Sequence, residues 1–340
     1  MRSLVVSIVL TTLALGLWLS APLMGRDAGL AAPAAAQAGY AGKLIAGRLD
    51  GLWILPLDGS APIKVLGVGE REYVTGVAWS PSATEIAYTL LTFDASLGMA
   101  GSDLHLTTLD GADRLLVQRD KPGATLGAPV WAPDGGSLLF DYTSYDMTGS
   151  GGLTQRIERV ALDGSWRSVE VDNAFAPTLS DDGRFLVYLR FEGVGISIRR
   201  RSLETGLESE VLPAGIIAGI YLPSLSPDGA TIAFAANRGT NAAPDTGPCE
   251  FLDQPQGRLL DAPRARAHGL PKEVWRIGSD GQGLTRLTNY CLDDPVLAWS
   301  PDGGWLAAYG GTSLVLLRAD GSSPIPVWSE GSYGGVDWAP

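Results

Sequence analysis

Short apolar runs alternate with polar turn residues along most of the chain, in the pattern of β-strands rather than helices. For example, Pro129-Val130-Trp131 leads into a polar turn, and Leu138-Leu139-Phe140 follows that turn. Runs of this length that are rich in aromatic and branched residues and bounded by Gly, Pro and Asp are typical of strands joined in hairpins. The pattern therefore predicts an all-β chain.

One phrase of turn residues recurs six times. Its fullest form is Trp299-Ser300-Pro301-Asp302-Gly303, and the phrases begin at positions 79, 131, 179, 225, 299 and 338. Ser, Pro and Asp suit the first three positions of a type I turn, and Gly accepts the left-handed conformation that follows it. Because an apolar run follows each of the first five phrases, each of these phrases predicts a hairpin.

A second turn closes another hairpin in each repeat. It is an Asp-Gly or Thr-Gly pair after a strand-like run, and it begins at Asp58, Asp110, Asp163, Thr205, Asp280 and Asp320. Asp-Gly between two extended runs is a strong hairpin signal. Two hairpins per repeat give four strands, which is the size of one blade of a β-propeller.

The two ends of the repeat pattern complement each other. The phrase at Trp338 is followed by no strand, and the Asp-Gly turn at Asp58 is preceded by no phrase. We therefore expect the C-terminal strand to join the strands between Lys43 and Leu66 in a shared closing blade, which removes an open sheet edge. The prediction is an all-β, six-bladed β-propeller of four-stranded blades over residues 39–340.

The repeats resemble those of the TolB-type propeller family, which are also seen in the propeller domains of prolyl oligopeptidase-like proteins. The Trp-Ser-Pro-Asp-Gly phrases carry this resemblance, together with the segment 274–281 that leads to Leu284-Thr285-Arg286-Leu287-Thr288. It covers the chain from about Lys43 to Pro340 and implies a six-bladed propeller. The chain departs from the family pattern at Ser82-Ala83, where Asp-Gly is expected, and at Leu179 and Leu225, which replace Trp. TolB also has an α/β domain ahead of its propeller, so the resemblance implies the fold of this chain and not the role of TolB.

The first 38 residues have the pattern of a secretory signal followed by an Ala-rich linker. Arg2 precedes an apolar run from Leu4 to Gly25, and Ala36-Gln37-Ala38 provides a small-residue cleavage site. The alternative is an uncleaved anchor, because the run is long enough to span a bilayer. Both interpretations predict an exported protein that is periplasmic, extracellular or membrane-anchored facing outside.

The charge and the cysteine count narrow the possible partners. The chain carries 37 acidic and 25 basic residues, a formal net charge of −12, which argues against nucleic acid or anionic lipid as the main partner. Two cysteines in an exported protein predict one disulfide, between Cys249 and Cys291. Two cysteines and two histidines that are scattered along the chain do not predict a zinc site, and no cofactor is expected.

Blade topology predicts which end of the propeller carries function. The turns between strands one and two and between strands three and four lie on one face, and all of these turns are short. The long connections emerge on the other face, including an excursion at about 237–272 that contains Cys249. The interblade loop 289–294, which contains Cys291, is expected on that same face, where a disulfide would fasten the excursion.

Residues just before each inner strand are expected to ring the mouth of the central channel. These candidates for binding are Tyr73, Asn173, Phe175, Tyr221, Asp293, Asp294 and Tyr333. Binding residues often lie on loops that a rigid scaffold holds, and a mixture of aromatic and polar groups suits a ligand or a peptide. The alternative is that these side chains only pack and solvate the loops.

The sequence favours a non-catalytic exported module that binds or scaffolds a protein, peptide or glycan on the long-loop face. No catalytic residue is predicted, because the chain has no Gly-x-Ser-x-Gly string and neither His105 nor His268 has an evident nucleophile partner. The alternative is a secreted hydrolase or lyase whose site lies at the channel mouth, since blades can bring distant residues together.

Overall fold

The computed structural model describes residues 42–94, 98–145, 152–193, 195–245, 247, 249, 271–311, 313–328 and 331–339. These residues form 24 strands and no helix. Consequently, the described part of the chain contains no helix long and apolar enough to cross a membrane. The predicted signal sequence and linker lie outside the described residues, and so does most of the excursion.

The strands form six antiparallel sheets of four strands each, which confirms the predicted six-bladed propeller. The closing blade contains β1 (Lys43–Arg48), β2 (Gly51–Pro56), β3 (Ile63–Gly67) and β24 (Val336–Trp338). Blade 1 contains β4 (Glu72–Trp79), β5 (Glu85–Asp94), β6 (Met99–Thr108) and β7 (Asp113–Val117). Blade 2 contains β8 (Thr125–Trp131), β9 (Ser137–Tyr145), β10 (Leu153–Ala161) and β11 (Arg167–Asp172).

The remaining three blades follow in chain order. Blade 3 contains β12 (Phe175–Leu179), β13 (Phe185–Glu192), β14 (Gly195–Ser202) and β15 (Glu208–Leu212). Blade 4 contains β16 (Tyr221–Leu225), β17 (Thr231–Asn237), β18 (Lys272–Gly278) and β19 (Thr285–Arg286). Blade 5 contains β20 (Val296–Trp299), β21 (Trp305–Tyr309), β22 (Leu314–Arg318) and β23 (Ile325–Trp328).

The inner strands form a ring around the central channel. Strands β4, β8, β12, β16, β20 and β24 each contact the next, and β24 contacts β4 to complete the circle. Strand β24 pairs antiparallel with β1, with Trp338 opposite Leu44, and the amide of Ala339 donates to the carbonyl of Lys43 at 2.8 Å. The shared closing blade is therefore confirmed.

The phrase turns adopt the conformation that their residues predict. Gly229 and Gly303 have φ angles of 68° and 67°, in the left-handed region. The hydroxyl oxygen of Ser226 accepts the amide of Thr231 at 2.9 Å and so holds the turn together. In the first phrase Ala83 takes the position of the glycine with φ 52°, which explains how that phrase departs from the repeat without losing its turn.

The phrase tryptophans pack between blades and belong to the core, as predicted. Trp79, Trp131, Trp299 and Trp338 are buried. The indole of Trp131 donates to the carbonyl of Ala78 in blade 1 at 3.1 Å, and the indole of Trp299 donates to Ser224 in blade 4 at 3.0 Å. In blades 2 and 5 the repeated tryptophan thus links the blade to the one before it by a hydrogen bond.

The connections divide between two faces as the topology requires. The short turns lie on one face, called here the tight face. The loops between the second and third strands and the connections between blades lie on the other, called here the long-loop face. The start of the excursion lies against this second face, where the amide of Asn241 donates to the carbonyl of Ile216 at 2.8 Å.

Candidate binding site at the channel mouth

All seven predicted site residues lie where the inner strands begin, on the long-loop face. Phe175 and Tyr221 are the first residues of β12 and β16, and Tyr73 is the second residue of β4. Asn173 precedes β12, Asp293 and Asp294 precede β20, and Tyr333 precedes β24. The structure therefore brings the set to one end of the channel, and a binding role for its members stays a prediction.

Three inner strands carry the same backbone irregularity close to this mouth. Ala128, Ala176 and Leu222 each precede a proline and have φ angles of 43°, 51° and 34°. The register between the first and second strands shifts at each of these places. Left-handed non-glycine residues are strained, and such strain is concentrated at functional sites. The bulges therefore indicate the channel mouth at blades 2 to 4 as a candidate functional site.

Partly exposed apolar side chains form a surface at the mouth beside blades 3 and 4. The rings of Phe175 and Phe191 stack with their centroids 4.9 Å apart. Phe191 is 40% exposed, Ile216 40% and Tyr221 37%. Phe175 also packs against the core cluster shared by blades 3 and 4, which fixes its position. We call Phe175, Phe191, Ile216 and Tyr221 the apolar rim.

Carboxylates and a second tyrosine lie next to the apolar rim. The hydroxyl of Tyr333 donates to the carboxylate of Asp293, and Gly311 packs so closely against both side chains that a Cβ there would overlap them. Lys272 Nζ lies 3.3 Å from Asp294 Oδ1. Burial and the hydrogen bond to Asp293 raise the pKa of Tyr333 above its ordinary value. Tyr333 therefore remains a neutral donor at physiological pH.

Tyr221 connects the apolar rim to the carboxylates. Its surroundings in the mouth keep water from solvating a phenolate, and the charges of Asp294 and Asp141 act in the same direction. Together these effects raise the pKa of Tyr221 above its ordinary value. Tyr221 thus lies within electrostatic reach of two acidic side chains.

Asp141 belongs to this site although the sequence analysis did not select it. It lies in β9, and its carboxylate passes over Gly127, where a Cβ would lie only 2.6 Å from Asp141 Oδ1. Its other oxygen accepts the amide of Ala176 in blade 3 at 3.0 Å. Burial raises the pKa of Asp141 to about 6, although these backbone amides oppose the shift. We call Asp141, Asp293 and Asp294 the acidic rim.

A repeat-aligned comparison within the sequence contains a signal for Asp141. The equivalent positions in blades 1, 3, 4 and 5 are Thr89, Leu189, Ala235 and Tyr309, so Asp141 is the one charged residue in the set. Asp337 is another case, because the equivalent positions are Ala78, Val130, Thr178, Ser224 and Ala298. A charge at a repeat position that is otherwise neutral is not required by the blade pattern, so it indicates a local role, either structural or functional.

A buried carboxylate holds the loop that carries Asp293 and Asp294. Glu273 in β18 is fully buried. It accepts the hydroxyl of Thr288 at 2.7 Å and the amides of Tyr290 and Cys291 at 2.8 Å each. Nε of Arg238 lies 3.4 Å from Glu273 Oε1. The excursion, the third strand of blade 4 and the interblade loop are therefore joined around one side chain.

Cys249 and Cys291 form the predicted disulfide, with their Cα atoms 5.7 Å apart. Cys249 lies in the excursion, and Cys291 lies in the interblade loop with a φ of 53°. A salt bridge between Arg286 and Asp245 fastens the excursion at a second point. The disulfide thus links the excursion to the loop that carries Asp293 and Asp294.

Replacing both cysteines by serine is expected to lower the free energy of unfolding by about 2–4 kcal/mol, because the cross-link closes a loop of 42 residues in the unfolded chain. Urea unfolding measures the loss. Reducing agent should destabilise the wild type by a similar amount and leave the double variant unchanged. Two free thiols in denatured, unreduced protein would contradict the cross-link.

A second carboxylate with a raised pKa lies in the closing strand β24, four residues after Tyr333. Asp337 in β24 accepts the amide of Trp79 in β4 at 2.7 Å and the amide of Trp338 at 2.8 Å. Burial raises the pKa of Asp337 to about 7 despite these two hydrogen bonds, and the charge of Asp181 adds to the shift. Asp337 therefore couples ring closure to pH.

The free energy of unfolding is expected to fall as the pH rises from 5 to 8. Since the pKa of Asp337 is about 7 in the fold and 3.8 for an ordinary Asp, the folded chain binds the extra proton between these values. This stabilisation is complete below pH 3.8 and is lost as the pH rises through 7, by an amount on the order of 2 kcal/mol between pH 5 and 8. The variant D337N should lose this component of the slope, whereas E204Q, at an exposed turn, should retain it. Equal slopes in D337N and wild type, measured by urea unfolding, would contradict the assignment.

The side chains at the channel mouth are of the kinds that bind ligands by contact and hydrogen bonding. It offers aromatic faces, hydroxyl donors and carboxylate acceptors on a rigid ring. Across the ranges that the structure describes, no group of three or more His, Cys, Asp or Glu side chains is suited to hold a metal ion. The channel mouth therefore presents apolar, hydrogen-bonding and acidic groups at one end of the propeller.

Comparison with solved structures places the fold among known propellers. The chain matches TolB from Acinetobacter baumannii at 21% identity and a TM-score of 0.61, over 88% of this chain and 67% of that one. It matches a TolB candidate from Agrobacterium tumefaciens at 16% identity and a TM-score of 0.57, over 89% of this chain and 100% of that one. It also matches a chain of the nidogen/laminin complex at 10% identity and a TM-score of 0.61, over 88% of this chain and 98% of that one.

No family model and no curated protein sequence matches the chain. Identities of this size show a shared fold. The fold is therefore that of a TolB-like six-bladed β-propeller, as the repeat phrases predicted.

Proposed function

We propose that this TolB-like propeller is an exported, non-catalytic module that binds a protein or peptide partner on its long-loop face. The observation that carries the proposal is the apolar rim, which is partly exposed. Phe175 and Tyr221 begin inner strands that the ring holds in place, Phe191 lies on the second strand of blade 3, and Ile216 lies in the connection between blades 3 and 4. Exposed aromatic side chains on a rigid scaffold are typical of protein-binding surfaces, because they supply contact area at a low entropic cost.

Three further observations support the proposal. One similar fold is a chain from a complex of two proteins, nidogen and laminin. The disulfide and the apolar N-terminal sequence fit an oxidising compartment outside the cytoplasm. The net charge of −12 disfavours nucleic acid as the partner.

The test compares capture by surface variants. Wild type, F191S, Y221S and W166A are immobilised and exposed to an envelope extract, and captured proteins are identified and purified for direct titration. Trp166 is 47% exposed in a tight-face turn, so W166A is a matched loss of an exposed aromatic residue. A partner that binds wild type and W166A but binds F191S and Y221S at least tenfold more weakly would support the proposal. A purified partner that binds all four proteins equally would show that its interface does not include Phe191 or Tyr221, and this result would contradict the proposal.

A further inference from the structure

The ring is closed by the shortest of its inner strands. Strand β24 has three residues, whereas the other five inner strands have between four and eight. In blades 1 to 5 a phrase turn joins the inner strand to the second strand, but β24 pairs with β1 from the opposite end of the described chain and shares no turn with it. Because no local turn keeps this pair together, its contacts alone must offset the entropy of bringing distant segments into register.

Two buried indoles beside β24 lack the hydrogen bond that equivalent indoles make. Nε1 of Trp131 and of Trp299 donates to a backbone carbonyl of the preceding blade. Trp338 in β24 and Trp79 in the neighbouring strand β4 are each 5% exposed, and their Nε1 atoms have no hydrogen-bond partner among the described residues. A buried donor without an acceptor costs free energy. The two interblade contacts that bear this cost are those on either side of β24.

A pair of glycines provides a point at which β24 can pivot. Just before the pair, the amide of Ser332 is bonded to a carbonyl of blade 5 at 3.1 Å, and the hydroxyl of Tyr333 donates to the loop ahead of that blade. Gly334 and Gly335 then lie between this fastened segment and β24, and Gly335 has a φ of 83°. Since glycine is the residue with the greatest backbone freedom, β24 can move while Tyr333 keeps its place at the mouth.

Three backbone amides report directly on whether β24 is in place. The amides of Gly47 and Ala339 are bonded across the pair formed by β1 and the closing segment, at 3.1 and 2.8 Å. The amide of Trp79 in β4 donates to the carboxylate of Asp337 at 2.7 Å. If β24 leaves as one piece, these three bonds break in a single event.

We propose that β24 is a detachable latch. It leaves β1 and β4 as a unit by pivoting at Gly334-Gly335, while blades 1 to 5 and the rest of the closing blade stay folded. The opened ring exposes the inner edge of β1, and an unpaired strand edge is a template for pairing with another chain. This inference concerns the scaffold and goes beyond the proposed function, since it requires no partner at the mouth.

Amide hydrogen exchange of the wild-type chain tests the latch, because local opening lowers the protection of only those amides that the opening exposes. The amides of Gly47, Trp79 and Ala339 should have protection factors that agree within about threefold and lie at least about tenfold below those of the reference amides. The references are Ser226 and Ser300, which bond the inner strand to the second strand in blades 4 and 5, and Leu57, which bonds β2 to Gly42 within the closing blade.

A disulfide across the latch provides the second measurement. Ala46 and Val336 are buried partners in the β1–β24 pair, so the variant A46C/V336C places two cysteines opposite each other. When oxidised, it should raise the protection of the three reporting amides at least about tenfold, to the level of the references. The variant A298C/A307C links the first two strands of blade 5 in the same way and should leave the three amides unchanged.

Three results would overturn the latch. In wild type, protection of the three amides equal to that of Ser226 and Ser300 would show that β24 opens only with the whole propeller. Low protection of Leu57 as well would show that the closing blade opens as one piece. Unchanged exchange of the three amides in the oxidised A46C/V336C variant would show that their exchange does not require β24 to leave β1.

Discussion

Replacing Glu273 by alanine is expected to lower the free energy of unfolding by about 3–5 kcal/mol, which is the usual cost of removing one partner of a buried ion pair. The Arg238 guanidinium would lose its buried carboxylate, and the Thr288 hydroxyl and the amides of Tyr290 and Cys291 would lose their acceptor. Unsatisfied donors in a buried site cost more than the hydrogen bonds contribute when made. Urea unfolding measures the loss.

A conservative variant and a surface variant distinguish the loss of the contacts of Glu273 from the general effect of removing a glutamate. E273Q keeps one carbonyl acceptor and should lose less than E273A. E204A removes an exposed glutamate from a tight-face turn and should leave the unfolding transition unchanged. In E273A, amide hydrogen exchange should increase in the loop 288–294, because Glu273 joins that loop to β18. A loss below 1 kcal/mol without faster exchange would show that Glu273 does not hold the loop.

Replacing Trp338 by alanine is expected to lower the free energy of unfolding by about 3–5 kcal/mol, as large-to-small changes of buried aromatic residues do. Trp338 is 5% exposed and packs in the cluster between the closing blade and blade 5. It is also one of the three residues of β24, the strand that closes the ring. The cavity therefore weakens the one blade that both ends of the propeller share.

The exposed Trp166 provides the matched control, since W166A removes the same side chain from a tight-face turn and should change the free energy of unfolding by less than about 0.5 kcal/mol. A second comparison measures the contribution of the indole hydrogen bond. The Nε1 of Trp338 has no hydrogen-bond partner among the described residues, whereas that of Trp131 donates to Ala78. W131F should therefore cost about 1 kcal/mol more than W338F. Equal losses in W338A and W166A would show that β24 is not part of the cooperative core.

The repeat phrases predicted the fold because their information is local. Each turn needs only a few adjacent residues, such as Ser226 with Gly229, and the alternation of apolar residues then fixes the strands on either side. Ring closure by Trp338 and the Cys249–Cys291 disulfide were also predictable, because counting turns assigns every segment to a blade and a face. The position of Tyr221 at the mouth followed from the same count.

The make-up of the site was less predictable. Asp141 is a second-strand residue, and it reaches the mouth because Gly127 lacks a Cβ and lets its carboxylate pass. Glu273 appears in the sequence as an ordinary residue at the start of a strand, and only the folded chain surrounds it with Arg238 and the amides of the interblade loop. The spacing of residues along the sequence does not indicate which side chains of different blades and loops come into contact.

The sequence by itself therefore determined the six blades, the closing blade and the face that carries the long loops, because turn preferences and strand alternation act between neighbouring residues. Only the tertiary structure decided that Asp141 joins Asp293 and Asp294 around Tyr221, beside the stacked rings of Phe175 and Phe191. These residues come from different blades, and the arrangement depends on burial and distance in space. The repeat built the scaffold, and packing between the blades assembled the surface where we expect a partner to bind.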